Sequence, residues 1–200
     1  MATGPFDRLM DDLRVRLPGA LDGTIRAELF RVMSNFFSIS NCWTEQIDFA
    51  VEQAITSYEL TPQGNATIHR LIGVLNQNGS RVNATMQTPG TIDLDWEPNE
   101  AATYTACVAL NVADPVDRNG YPFIPQWVLD KYEDEILDGV LSRMMSQPAK
   151  TYSNPPLAMV HERRFNYGVN LARIEALNAN TYRVQAWSFP RGGFITHRHR

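Results

Sequence analysis

The run Pro125-Gln126-Trp127-Val128-Leu129-Asp130-Lys131-Tyr132-Glu133-Asp134-Glu135-Ile136-Leu137-Asp138-Gly139-Val140-Leu141-Ser142-Arg143-Met144-Met145-Ser146-Gln147-Pro148 decides how the chain is read. Val128, Tyr132, Ile136, Val140 and Met144 recur every four residues, flanked by Leu129, Leu137, Leu141 and Met145, which is the stripe of an amphipathic helix. Pro125 is acceptable in the first turn, where a missing N–H costs nothing, and Pro148 ends the helix. Across the loop Ala149-Lys150-Thr151-Tyr152-Ser153-Asn154-Pro155-Pro156 a second helix is predicted, with Leu157, Ala158, His161, Phe165, Gly168, Val169, Ala172 and Ala176 toward its partner. A short loop between two such helices implies an antiparallel hairpin. Gly139, Gly168 and Ala172 would let the two backbones approach closely.

Working outward toward the N-terminus, Phe6, Leu9, Met10 and Leu13 keep helical spacing until Pro18-Gly19 breaks it. After a cap region at Asp22-Gly23-Thr24, the residues Ile25, Leu29, Phe30, Met33, Phe36 and Phe37 form one apolar stripe that ends near Ser38-Ile39-Ser40-Asn41. From Trp43 to about Val112 the period becomes two. Ile92, Leu94 and Trp96 alternate with Asp93 and Asp95, and Ala106, Val108, Leu110 and Val112 alternate with Cys107, Ala109 and Asn111. Asn76-Gln77-Asn78-Gly79-Ser80 reads as a hairpin loop, because Asn-Gly supplies positive φ. The reading is therefore α+β: N-terminal helices of a bundle over 1–42, an inserted antiparallel sandwich-like β domain over 43–120, a helical hairpin over 121–180 and an extended C-terminal tail over 181–200.

The chain has 200 residues with 44% hydrophobic and 20% charged, a net charge of −4 and 2 cysteines. This composition excludes a disordered chain, a collagen-like repeat and a coiled coil. Cys42 and Cys107 are too few for a disulfide framework or a cysteine-based zinc site, so a reducing compartment is expected. No secretory signal is read at the N-terminus, and no apolar run is long enough to suggest a membrane span. The sequons at Asn65, Asn78 and Asn83 are read as turn and strand-edge residues. A mildly acidic chain does not suit broad nucleic-acid binding, which needs clustered Lys and Arg.

The motifs of chemistry are missing: there is no Gly-x-Ser-x-Gly elbow, phosphate loop, dinucleotide fingerprint or His-Glu-x-x-His. His197 and His199 alternate with arginines and lack a third fixed ligand. Asp130, Glu133, Asp134 and Asp138 lie around the polar side of a helix, and no opposing acid turns them into a catalytic pair. Asp93 and Asp95 share a strand face and are read as a solvent-facing edge. Nothing local to Cys42, His69 or His161 fixes a nucleophile–base geometry, and Phe30, Phe36 and Phe37 are read as core. His161, Arg163, Arg164 and Arg173 stand on a helix with few acids opposite an acidic one, which suggests ion pairing between the helices or between subunits. No catalysis, cofactor or metal is expected.

Tyr121–Tyr132 and Gly139–Lys150, extended by His161-Glu162-Arg163-Arg164-Phe165 and Ala172-Arg173, resemble the head-to-tail adaptors of tailed bacteriophages. The order of a helical bundle, a β insertion and an extended C-terminus is similar to the podophage-type adaptor or nozzle-ring subunit over most of the chain. The resemblance implies a homo-oligomeric ring, commonly of twelve subunits, in the virion between the portal protein and a downstream tail or nozzle protein. DNA would pass through its lumen without sequence-specific binding, and neither membrane nor catalysis is involved. An end this rich in aromatics and arginine is expected to dock on a partner, with Trp187, Phe189 and Phe194 as apolar anchors and Arg191, Arg198 and Arg200 as charge contacts, the alternative being a tail frayed in solvent; the resemblance implies that the partner is the portal. Asp130, Asp134, Asp138, Arg163 and Arg164 become candidate lumen or inter-subunit charges. The competing expectations are a protein-binding module of another tail or baseplate component and a small enzyme.

Overall fold

The computed structural model describes residues 5–113 and 124–178. The fold is α+β, with two helices, an antiparallel β region and two further helices in chain order. Helix α1 spans Pro5–Arg16 and buries Phe6, Leu9, Met10 and Leu13 at helical spacing. Gly19, at φ +83°, turns the chain after Pro18. Helix α2 spans Asp22–Ser40. Its cap position is Leu21, which offers no side-chain acceptor, so Asp22 begins the helix itself instead of forming the expected cap with Gly23 and Thr24. The Asp22 carboxylate accepts two hydrogen bonds from Arg14, at 2.9 and 2.7 Å, and this ties the end of α1 to the start of α2. That contact holds the Asp22 carboxyl below its ordinary range. At the far end Asn41 takes the left-handed conformation, φ 50°, and donates its N–H to the Phe37 carbonyl.

The β region holds two sheets. In the first, β1 (Thr44–Val51), β7 (Ala102–Val112), β3 (Ala66–Leu75) and β4 (Arg81–Val82) lie in the order β1-β7-β3-β4. In the second, β2 (Ser57–Glu59), β6 (Thr91–Leu94) and β5 (Ala84–Thr88) lie in the order β2-β6-β5. All pairings are antiparallel. The turn at Asn76–Ser80 closes as expected: Gly79, at φ +75°, donates its N–H to the Asn76 carbonyl at 2.8 Å, and the Asn76 backbone N–H donates to the Ser80 carbonyl at 2.9 Å. Beyond it β4 pairs with β3 over only two residues before the chain leaves for the second sheet. Phe49 of β1 meets Tyr58 of β2 at 5.3 Å and Tyr104 of β7 at 6.2 Å, an aromatic link between the sheets.

The strand expected through Trp96 stops at Leu94. Ala84↔Leu94 and Ser57↔Asp93 are the last pairs with its neighbours, so ladder partners run out there. Trp96 lies beyond the strand, 39% exposed, with its ring 6.4 Å from Tyr104. Two register shifts in β3, at Ile68/Arg70 and Leu71/Gly73, also break the period of two.

Helix α3 spans Gln126–Met145, and Pro125 stands at its cap position, one residue earlier than the first-turn placement expected. All nine apolar residues assigned to its stripe are buried. Tyr132 departs from helical geometry at φ −121°, ψ 20°, a kink that the regular spacing does not announce. Helix α4 spans Pro155–Leu177, with the Asn154 side chain accepting the Leu157 N–H at 3.3 Å. Phe36 of α2 is the meeting point of the bundle, 5.2 Å from Tyr132 and 6.3 Å from Phe165. Phe37 reaches Trp43 at 5.5 Å, and one apolar cluster runs from the helices into the sheets.

Candidate interaction surfaces

The α3–α4 hairpin carries the segments on which the resemblance rests, and small residues set its spacing. A Cβ added at Gly139 would stand 2.5 Å from Val32 and 2.7 Å from the Phe165 ring. One added at Gly168 would meet the stem of Glu135. A side chain at either position must displace a neighbour, so the two glycines permit the close approach that the sequence suggests. Lys131 bridges to Glu175 at 2.9 Å, and the Tyr132 hydroxyl donates to the same carboxylate at 3.2 Å. His161 Nδ1 lies 2.7 Å from Asp138 Oδ1, and both side chains are largely enclosed. Nearby, the buried Glu28 of α2 holds Arg31 with one carboxylate oxygen and Arg143 of α3 with the other, each at 2.7 Å.

The five charged residues singled out on the hairpin divide into two groups. Asp138 is committed to His161 inside the subunit, which removes it from the outer acidic face. Asp130 and Asp134 are exposed on α3, and Arg163 and Arg164 are exposed on α4. Between the two helices the His161–Asp138 contact has the expected polarity, base on α4 and acid on α3, whereas Lys131–Glu175 reverses it, with its lysine on α3 and its acid on α4. Among the described residues, none forms a salt bridge with Arg163, Arg164 or Arg173. Trp187, Phe189, Arg191, Phe194, Arg198 and Arg200 lie outside the described residues, as do His197 and His199.

The feature that the inner-face reading misses is on the other side of α4. Leu157, expected against the partner helix, is 38% exposed. It begins a row with Val160, Tyr167, Leu171 and Ile174, all exposed, and Arg164 occupies the gap in the same row. Successive positions alternate by three and four residues, so they stack along one side of the helix. Half of the large apolar side chains exposed among the described residues lie on α4. Trp127 at the start of α3 is also 49% exposed.

The chain matches no protein-family model and no curated protein sequence.

Burial decides the chemistry of the remaining titratable groups. Cys42 is buried and accepts the Ser40 hydroxyl at 3.2 Å; burial pushes its thiol up to about 11, so it is protonated at neutral pH and inert as a nucleophile. Burial likewise raises the Tyr132 phenol to about 12 and moves the Glu135 carboxyl upward. Hydrogen bonding to Glu175 moves the Lys131 ammonium upward. His69 is exposed on β3 and lines an open groove of about 570 Å³ with Arg70, Arg81, Thr85 and Asp95. Among the described residues, no group of three or more His, Cys, Asp or Glu side chains is arranged to hold a metal, and no helix is long and apolar enough to cross a membrane.

Proposed function

We propose that this chain is a head-to-tail adaptor subunit of a tailed bacteriophage, assembled with copies of itself into a ring between portal and tail and continuing the DNA channel. The observation that carries this reading is the bare apolar row on α4, the same helix that bears the His161–Phe165 and Ala172-Arg173 segments of the resemblance. A row of five exposed apolar side chains along one side of a helix, interrupted only by Arg164, supports a surface that another protein covers. The order of helices, β insertion and helical hairpin agrees with the adaptor organisation. In this reading the protein resides in the virion, acts without catalysis, and leaves DNA contacts to the lumen of the ring.

Electron-microscopic class averages of the purified protein, and of the protein on portal-bearing heads, test the proposal. Closed rings coaxial with the portal are expected. A monomer that leaves portal-bearing heads undecorated rejects it in favour of a binding module elsewhere. Removal of residues 187–200 is expected to abolish portal binding and leave the helical circular-dichroism signal nearly intact. Truncated protein that still joins heads at normal occupancy would move the portal contact to the bundle or the β domain.

A further inference from the structure

We infer that the outer row of α4 is the seat of a neighbouring copy, which presents the exposed end of its α3: Trp127, Asp130 and Asp134. The inference rests on the ring reading above and assigns the surfaces that would build it. Two observations select the occupant. The first is charge. Arg163 and Arg164 stand exposed beside and within the apolar row, with no salt-bridge partner among the described residues. On α3, Asp130 and Asp134 are exposed one turn apart, an arrangement that repels internally and is relieved by cations brought from outside. The second is shape and residue type. Trp127, 49% exposed, lies one turn before Asp130, and Tyr167, 71% exposed, lies one turn after Arg163 and Arg164. Trp, Tyr and Arg are the side chains that dominate interface energies, and each surface therefore couples an aromatic anchor to one sign of charge.

A row with an arginine at its middle is poorly suited to pairing with its own copy, because like charges would meet in a desolvated seam. The acidic end of α3 supplies the opposite sign. Since the two surfaces are different patches of one subunit, the contact is heterologous, and heterologous contacts propagate from copy to copy until the rotation closes a ring.

The experiment is a charge swap in the full chain, read by sedimentation velocity on purified protein and by ring occupancy on portal-bearing heads. R163D/R164D and D130R/D134R are each expected to weaken self-association by about tenfold or more, and the quadruple swap to restore it to within about threefold of wild type. Tyr167→Glu with Leu171→Glu is expected to abolish it with an unchanged helical circular-dichroism signal. Reversals without effect, or without rescue, overturn this pairing and leave the adaptor reading standing if rings still decorate the portal. Rescue in a protein that never binds portal upholds the pairing and overturns the adaptor reading instead. A wild-type chain that self-associates in neither assay rejects both.

Discussion

Helices α3 and α4 have similar lengths and the same apolar periodicity, yet ten residues of α3 are buried against six of the longer α4. The difference lies in their neighbours. Among the described residues α3 packs against α1, α2 and α4, whereas the main neighbours of α4 are α2 and α3. Helix α3 therefore buries both of its apolar flanks, and α4 buries one while leaving the row from Leu157 to Ile174 in solvent. An amphipathic pattern announces how many faces a helix can cover; the number of neighbours decides how many it does cover. In the ring proposed above, that excess on α4 is the surface a partner would cover.

Phe36 tests whether the two helices share one core. Its ring touches Tyr132 on α3 and Phe165 on α4 and is fully buried. Phe36→Ala is expected to cost about 3–5 kcal/mol in urea denaturation, the transfer and cavity cost of a buried aromatic. A loss below about 1 kcal/mol would mean that the helices are held independently. The next effect separates the hairpin's two glycines. Gly139→Ala must displace Val32 and Phe165, both packed in the core, and a loss of about 1–3 kcal/mol is expected. At Gly168 the obstacle is the stem of the half-buried Glu135, which can swing outward. There the gain in helix propensity, about 1 kcal/mol, offsets much of the clash, and thermal denaturation should show a clearly smaller loss than at Gly139.

Much of this arrangement was legible in the residues. Spacing by four identified the buried face of α3, and the change of period at Trp43 located the β region, because both follow from backbone geometry alone. Three kinds of feature escaped. The early end of β6 depends on how far β2 and β5 extend beside it, a tertiary fact that alternation through Trp96 cannot contain. The kink at Tyr132 leaves the apolar spacing unbroken. Asp138 reads as one more surface acid, because its partner His161 is brought to it only when the hairpin closes. The outer row of α4 is different, since its alternation by three and four was present in the chain. One apolar face already accounts for a helix in a hairpin, so spacing alone does not single out the second row.

The row itself predicts a contrast in kind. Leu171→Gln replaces a side chain that is 42% exposed on the outer row of α4, so urea denaturation at low protein concentration should change by no more than about 0.5 kcal/mol. Self-association of the same variant should fall. A loss of stability comparable to that of Gly139→Ala would show that α4 has a second intramolecular neighbour, and the comparison drawn between the helices would fail.

The smallest effect is one of sign, and it probes the seam where the two helices meet. Glu135 is half-buried over Gly168, its Oε2 is enclosed without a hydrogen-bond partner, and burial, followed by the nearby Asp134, Asp138 and Glu175 carboxylates, raises its pKa above the ordinary 4.5. A carboxyl raised in the folded state binds its proton more tightly there than in the unfolded chain, so ionisation at neutral pH opposes folding. Stability is recovered as pH falls through the folded-state value, and the gain levels off once the unfolded carboxyl is protonated as well, below about 4.5. Glu135→Gln removes the charge and keeps the shape. The variant should therefore unfold at a higher temperature than wild type at pH 7, with the difference shrinking as pH is lowered toward 4.5. An advantage of the variant that grows on acidification would mean that the carboxylate is stabilised in the fold by a cation, and that the α3–α4 seam is held together by charge at this point instead of by close packing.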